Sequence, residues 1–291
     1  MDLLNGPLGD EHRVMGIGLV LALTAAFAYG ASDFVGGSAS RRHHAWGVVA
    51  LGQVAGAAVM IACGMLAAGD PRTVDFAWAV LAGAGSATGS LFLYRGLSRG
   101  RMGVVAPVSA VGAAVLPVLV GVGLGERPTW IAWLGVVVAL PGIWLVSRGT
   151  APAGETRGAL VDGAAAGVGF GVLFIALGQI PTAAGFLPLA ANQLVGAVFT
   201  VVAATALRQD WRPRPGVVTW AGASGVLGAA GTLTFLLSAH LTGLGVAAVL
   251  TSLYPAVTVL LAAVVLGERL GGGQRLGIGI CTLAVATLAL G

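Results

Sequence analysis

Ten apolar runs of roughly twenty residues follow one another along this chain, and no other feature limits its fold as severely. They span residues 14–36, 45–67, 76–96, 103–124, 129–147, 158–179, 185–207, 216–238, 244–266 and 272–290. About 20 mainly apolar residues cross the ~30 Å of hydrocarbon in a bilayer. Between them lie short polar segments such as "ASRRHH", "GDPRTVD", "GERPT" and "RQDWRPRPG". In lipid every backbone N–H and C=O must be paired within the protein, so these runs fold as helices. A membrane β-barrel would show runs of about 10 residues with strict alternation, which this sequence lacks. The expected fold is an all-α integral membrane protein with ten transmembrane helices.

Charge supports this. Only 9% of the residues are charged, against about 25% in a soluble domain, so the surface is solvated by the lipid bilayer. The net charge of +4 comes from arginines and no lysine, and these arginines sit in short loops between apolar runs. Such a pattern orients a membrane protein and does not build a nucleic-acid patch. The seven tryptophans fall near run ends, where an indole sits at the headgroup level. Cys63 and Cys281 lie inside apolar runs and form neither a disulfide framework nor a metal site. The acidic start "MDLLNGPLGDEHRV" lacks a basic n-region, so the first run is expected to be retained as a span. Gly52 and Gly56, Gly163, Gly167 and Gly171, and Gly273 and Gly277 repeat at four-residue spacing and are read as helix packing within the chain. An oligomer is not required.

The tetrapeptide "LGER" closes two of the runs, at 124–127 and again 142 residues later at 266–269. The same slide of 142 places Gly83, Gly89 and Leu91 on Gly225, Gly231 and Leu233. A slide of 140 places "QVAGA" at 53–57 on "QLVGA" at 193–197, and one of 141 places Tyr29-Gly30 on Phe170-Gly171. The chain therefore reads as an N-terminal tail (1–13), a first five-helix repeat (14–147), a linker (148–157) and a second five-helix repeat (158–291). Five is odd, so the second repeat enters the membrane from the opposite side and the two repeats are inverted. That arrangement characterises secondary transporters, with substrate near the midplane. Assigning loops to two sides puts Arg13, Arg72 and Arg127 with the termini and the other twelve arginines opposite. By the positive-inside rule both termini are extracytoplasmic.

At this point the sequence resembles the EamA-type branch of the drug/metabolite transporter superfamily. The likeness is carried by "AYGASDFVGG", "APVSAV", "SLYPAVTVLLAAVVLGE" and the two "LGER" copies. The first copy has Gly112 and Ala113 where the second has Tyr254 and Pro255. The resemblance implies export of small polar metabolites, amino acids or drugs, coupled to protons or exchange, in the plasma (inner) membrane.

Polar residues inside spans mark the candidate site, since an ionised side chain at a span centre costs about 2.5–3.5 kcal/mol on insertion scales. Tyr29, Ser32, Asp33 and Gly36 recur at i, i+3, i+4 and i+7, one stripe of a helix. Asp33 is read as a proton-coupling residue or cation partner, against a bland reading in which it pairs with Arg41 or Arg42. Gln53 and Gln193, with Asn192 beside the latter, are read as cavity-lining amides or interhelical hydrogen bonders. Tyr254 precedes Pro255 in the ninth run, where proline bends a helix; Pro107 and Pro117 predict the same for the fourth. Glu126 and Glu268 of the two "LGER" copies are read as anchors of the turn or as gating residues. His240 is expected to bond water or a loop. No cofactor or metal is called for.

The rival classes are weaker. "GASG" at 222–225 matches the GxSG of rhomboid-like proteases, but a nucleophilic serine needs a base within reach. The nearest downstream histidine, His240, is sixteen residues on, roughly 24 Å along a helix. A facilitative channel or a non-transporting scaffold is the principal alternative to a carrier of small-molecule substrates. The orientation is tested by a C-terminal reporter active only in the cytoplasm: it should be silent, and activity would reverse the assignment.

Overall fold

The computed structural model describes residues 7–98, 102–147, 156–212, 216–265, 267 and 270–289. Among the described residues there is no strand. The helices are α1 (Pro7–Ser40), α2 (Ala45–Leu66), α3 (Thr73–Ser98), α4 (Met102–Gly123), α5 (Trp130–Ser147), α6 (Thr156–Gly178), α7 (Leu187–Ala206), α8 (Val218–Thr242), α9 (Leu244–Thr251), α10 (Tyr254–Val265) and α11 (Gly272–Ala289). Among the described residues seven segments are long and apolar enough to cross a membrane: Arg13–Ser40, Ala45–Leu66, Thr73–Gly96, Gly158–Gly178, Leu187–Ala206, Val218–Thr242 and Leu244–Val265. The described apolar stretches within α4 and α5, Val108–Gly123 and Trp130–Leu145, are shorter. The chain is a multi-pass membrane protein.

Its surface and interior fit that solvent. Large apolar side chains such as Ile17, Met65, Val137, Val198 and Val202 point outward, while alanines such as Ala22, Ala82, Ala113 and Ala247 are fully buried. Lipid gives little hydrophobic drive between helices, so small residues that let backbones approach hold the bundle by dispersion.

The halves pack by exchange. Helix α1 packs on α8 and α3 on α6; α2 packs on α8 and α3 on α7; α4 packs on α6, and α1 on α9 and α10. The pairs α2–α7 and α5–α11 join equivalent helices. Individual contacts obey the same rule. A Cβ on Gly56 would strike the amide of Gln193, and one on Gly196 the amide of Gln53. Tyr29 lies on Gly231 as Phe170 lies on Gly89. Gly225 meets the carbonyl of Gly52, and Gly83 that of Asn192. A contact i–j′ mirrored by j–i′ is the signature of a two-fold relation.

Two expectations about packing need correction. Gly52, Gly56, Gly163, Gly167 and Gly171 do pack against neighbouring helices, but Gly273 has nothing near it. The ninth run is not merely bent but divided into α9 and α10 at Ser252 and Leu253. Pro255 has no N–H for the Thr251 carbonyl, and it falls in the first turn of the new helix, where proline is tolerated. Helix α4, by contrast, stays continuous through Pro117.

The "LGER" motif closes α4 as a Schellman cap. The Glu126 N–H donates to the Gly121 carbonyl (2.9 Å) and the Gly125 N–H to that of Val122 (3.1 Å), the 6→1 and 5→2 bonds of that motif. Gly125 has φ +101° and its equivalent Gly267 has φ +68°, a region that favours glycine. Gly121 leaves the space into which the Glu126 carboxylate folds back.

Filling the close crossings tests this packing. Gly225→Val and the equivalent Gly83→Val should each destabilise the protein by about 1–3 kcal/mol, seen as a lower melting temperature in detergent. Gly273→Val should leave it unchanged.

Candidate functional site

Helices α1, α2 and α3 and their equivalents α6, α7 and α8 enclose a cavity of about 80 Å³. That holds on the order of five waters at ~10–15 Å³ each. Every lining residue lies within one of the membrane-crossing segments.

One wall is the polar stripe of α1. The Tyr29 hydroxyl bonds Thr232 Oγ1 on α8 (3.0 Å). Ser32 Oγ donates to the Ser224 carbonyl (2.8 Å), and Ser224 Oγ donates to that of Ser32 (3.1 Å). This reciprocal pair fastens α1 to α8 at the cavity edge. Asp33 faces the same space, half-buried, and hydrogen-bonds the Tyr94 hydroxyl of α3. Gly36, one turn on, leaves the room that this hydroxyl occupies. Among the described residues neither Arg41 nor Arg42, both exposed, forms an ion pair with Asp33.

The two glutamines cross where α2 meets α7. Both are buried, and both line the cavity. Gln53 Nε2 donates to Ser86 Oγ on α3 (2.9 Å), while among the described residues its Oε1 has no donor. The opposite wall is apolar. Phe170 and Leu173 stand at the positions that match Tyr29 and Ser32, and Phe174, matching Asp33, stacks on Phe235 behind it (4.5 Å between centroids).

The structure thus brings Tyr29, Ser32, Asp33, Gln53 and Gln193 into one cavity. Asn192 does not line it: one position around the helix from Gln193, it is buried, with its carbonyl against Gly83 of α3. Tyr254 stands outside the lining, edge-on to Phe170 with centroids 6.3 Å apart. Its hydroxyl faces Ser109 without a well-formed hydrogen bond. Glu126 is remote from the cavity. Its carboxylate accepts the N–H groups of Leu244 (2.5 Å) and Gly245 (3.1 Å), the first turn of α9. Glu268 lies outside the described residues.

Sequence reasoning missed Ser86, Ser90 and Tyr94, which line the cavity from α3, and Thr232. Their i, i+4, i+8 spacing on one helix face was the available signal. It also passed over Asp162, a lone carboxylate in the sixth run, fully buried and 3.2 Å from Arg95 Nη2 of α3. Among the described residues Ser224 has no histidine partner: its hydroxyl bonds Ser32, and His240 Nε2 is bonded to the Ile180 carbonyl (2.7 Å), a loop group.

Comparison with known proteins agrees with this architecture. No curated protein matches the chain. A crystal structure whose description names no function superposes with a TM-score of 0.73 at 19% identity, over 94% of this chain and 96% of that one; such a likeness speaks to the fold alone. The model of the EamA-like transporter family matches twice, over residues 16–148 and 159–290. With both halves of its length covered, the chain belongs to the EamA-like transporter family, within the drug/metabolite transporter superfamily.

Proposed function

We propose that this protein is a secondary active carrier that exports or exchanges a small metabolite, amino acid or drug across the plasma membrane by alternating access, and has no enzymatic role. In this reading ten spans form two inverted repeats, 14–147 and 158–291, after a tail at 1–13 and joined by the linker 148–157. The termini are extracytoplasmic. The observation that carries it is the set of exchanged contacts around a polar cavity: Gln53 over Gly196 and Gln193 over Gly56, Tyr29 over Gly231 and Phe170 over Gly89. Two halves with interchangeable contacts can trade conformations, and a cavity between them then opens to the other compartment. Tyr29, Ser32, Gln53 and Gln193 bind substrate and Asp33 couples it. Asn192 and Tyr254 support the wall from behind.

Glu126 acts as a latch. A carboxylate at a helix N-terminus is favoured by the unpaired N–H groups and by the dipole, and hydrogen bonds to a charged group contribute about 1.5–3 kcal/mol each. The contact ties the end of α4 in one repeat to the start of α9 in the other. Movement of these helices apart must break it.

Counterflow tests the carrier. Liposomes containing the protein and preloaded with members of a panel of amino acids, sugars and cationic drugs should transiently accumulate labelled solute above equilibrium. A channel would only equilibrate it, and a scaffold would do neither. Because movement must break this contact, Glu126→Gln should change the counterflow rate about tenfold, as a shift of about 1.4 kcal/mol between the latched and unlatched states would, with normal protein levels in the membrane. An unchanged rate would remove the latch.

A further inference from the structure

We infer that a groove between α2, α3 and α7 is a binding site for one anionic phospholipid, with its phosphate at Arg95 and an acyl chain on Phe92, Phe199 and Ala203. Binding there does not depend on the carrier reading.

The groove has a volume of about 690 Å³, within the ~300–1,000 Å³ of ligand clefts. It shares no lining residue with the central cavity. Ser86, Ser90 and Tyr94 of α3 line that cavity, while Thr88, Leu91, Phe92 and Arg95 line the groove. Helix α3 therefore stands between the two. The groove is open at its side, where Phe199 and Leu207 are 41% and 61% exposed. In a membrane-crossing helix such exposure means contact with lipid chains. Helices α2 and α3 belong to the first repeat and α7 to the second, so one lipid would rest on both halves.

The polarity of the groove is graded along the helices. Thr88, Leu91, Phe92, Phe199 and Ala203 lie inside the crossing segments, and His44 and Gln209 lie just beyond their ends. Arg95 is the last residue but one of its segment. Thr88 sits two turns deeper than Arg95, ~10 Å along the helix axis. One leaflet holds about 15 Å of hydrocarbon. Trp46 lines the same end, at the level where an indole meets headgroups. A molecule that fits has a polar head at the span ends and a chain that runs toward the midplane.

Charge selects the head. Arg95 Nη2 is 3.2 Å from Asp162 Oδ1, and its guanidinium lies over the Phe92 ring, 5.3 Å from the centroid. These contacts hold the guanidinium at the groove while its side chain stays 49% exposed. A planar guanidinium fixed in this way suits a phosphate. Exposed Arg41 and Arg42 precede α2, and exposed Arg208 and Arg212 follow α7. The carboxylates at this end are the buried Asp162 and Asp210, the latter 3.7 Å from His44 Nε2. Among the described residues the mouth thus keeps an excess of positive charge, and basic pockets between helices bind anionic headgroups. A soluble anion would leave the apolar floor unfilled. A zwitterionic lipid would bring its own cation to the arginines.

The test uses the full-length protein in phosphatidylcholine vesicles, titrated with brominated-chain phosphatidylglycerol or with phosphatidylcholine carrying the same brominated chains. Bromine quenches indole fluorescence on contact, and the difference between wild type and Trp46→Phe isolates the Trp46 signal. Half-maximal quenching of Trp46 should need about fivefold less phosphatidylglycerol than phosphatidylcholine. Arg95→Gln combined with Asp162→Asn removes both charges of the pair and should erase this preference. Ala203→Phe, which fills the floor and keeps every charge, should weaken quenching by phosphatidylglycerol about fivefold. If the double variant does not fold, Ala203→Phe decides. Equal quenching by the two lipids, or a preference that Ala203→Phe leaves intact, would overturn the assignment. Release of phosphatidylglycerol by inorganic phosphate would also overturn it, in favour of a soluble-anion site.

Discussion

The bundle depends on how closely α2 and α7 can approach. Water does not press these helices together, so their cohesion comes from dispersion at short range and from interhelical hydrogen bonds. The crossing is built from two glutamines, each lying on the glycine of the opposite helix. A larger residue at Gly56 or Gly196 would push an amide out of place, and with it the centre of the cavity. Helices α1 and α3 are set by the same device, with aromatic rings on Gly231 and Gly89. The cavity is therefore a by-product of close packing around it, and its dimensions follow from where side chains are missing.

On this nearly symmetric scaffold the cavity carboxylate is one-sided. The first repeat supplies Asp33 together with Tyr29 and Ser32, and the second, which gives Gln193, Ser224 and Thr232 to the same cavity, has Phe170 and Leu173 at the positions that match Tyr29 and Ser32. In the carrier proposed above, symmetry would serve the conformational exchange, for which the two halves must be alike. Asymmetry serves recognition, for which they must differ. A second carboxylate in place of Phe174 would have put two like charges in one small space, which raises the cost of ionising either.

Much of this was legible in the sequence, and the limits are physical. Hydropathy marked the spans because lipid enforces it. The colinear repeat matches carry over into exchanged contacts between the halves, because equivalent residues meet equivalent partners. The stripe Tyr29, Ser32, Asp33 was readable because helical spacing puts it on one face. Asn192 stands outside the lining because a single step turns a side chain about 100° around the helix axis from that of Gln193. Tyr254 stands outside the lining, and Pro255 alone did not reveal that its run divides into two helices. Ser86, Ser90 and Tyr94 were hidden in an Ala- and Gly-rich run, where one hydroxyl at a time resembles ordinary packing. The role of Glu126 depends on Leu244, 118 residues away, and no local pattern could point to that.

The interruption at Ser252 and Leu253 has a mechanical consequence. An unbroken helix resists pivoting because bending it ruptures main-chain bonds one after another. Here the rupture is already built in, and the eight residues of α9 form a stub fastened at one end by a carboxylate and at the other by two non-helical residues. In the carrier proposed above, such a stub would swing against α4 while α10 stays seated on α1, and reorienting it would disturb few main-chain bonds, those of Ser252 to Ala248 and Leu253 to Leu250.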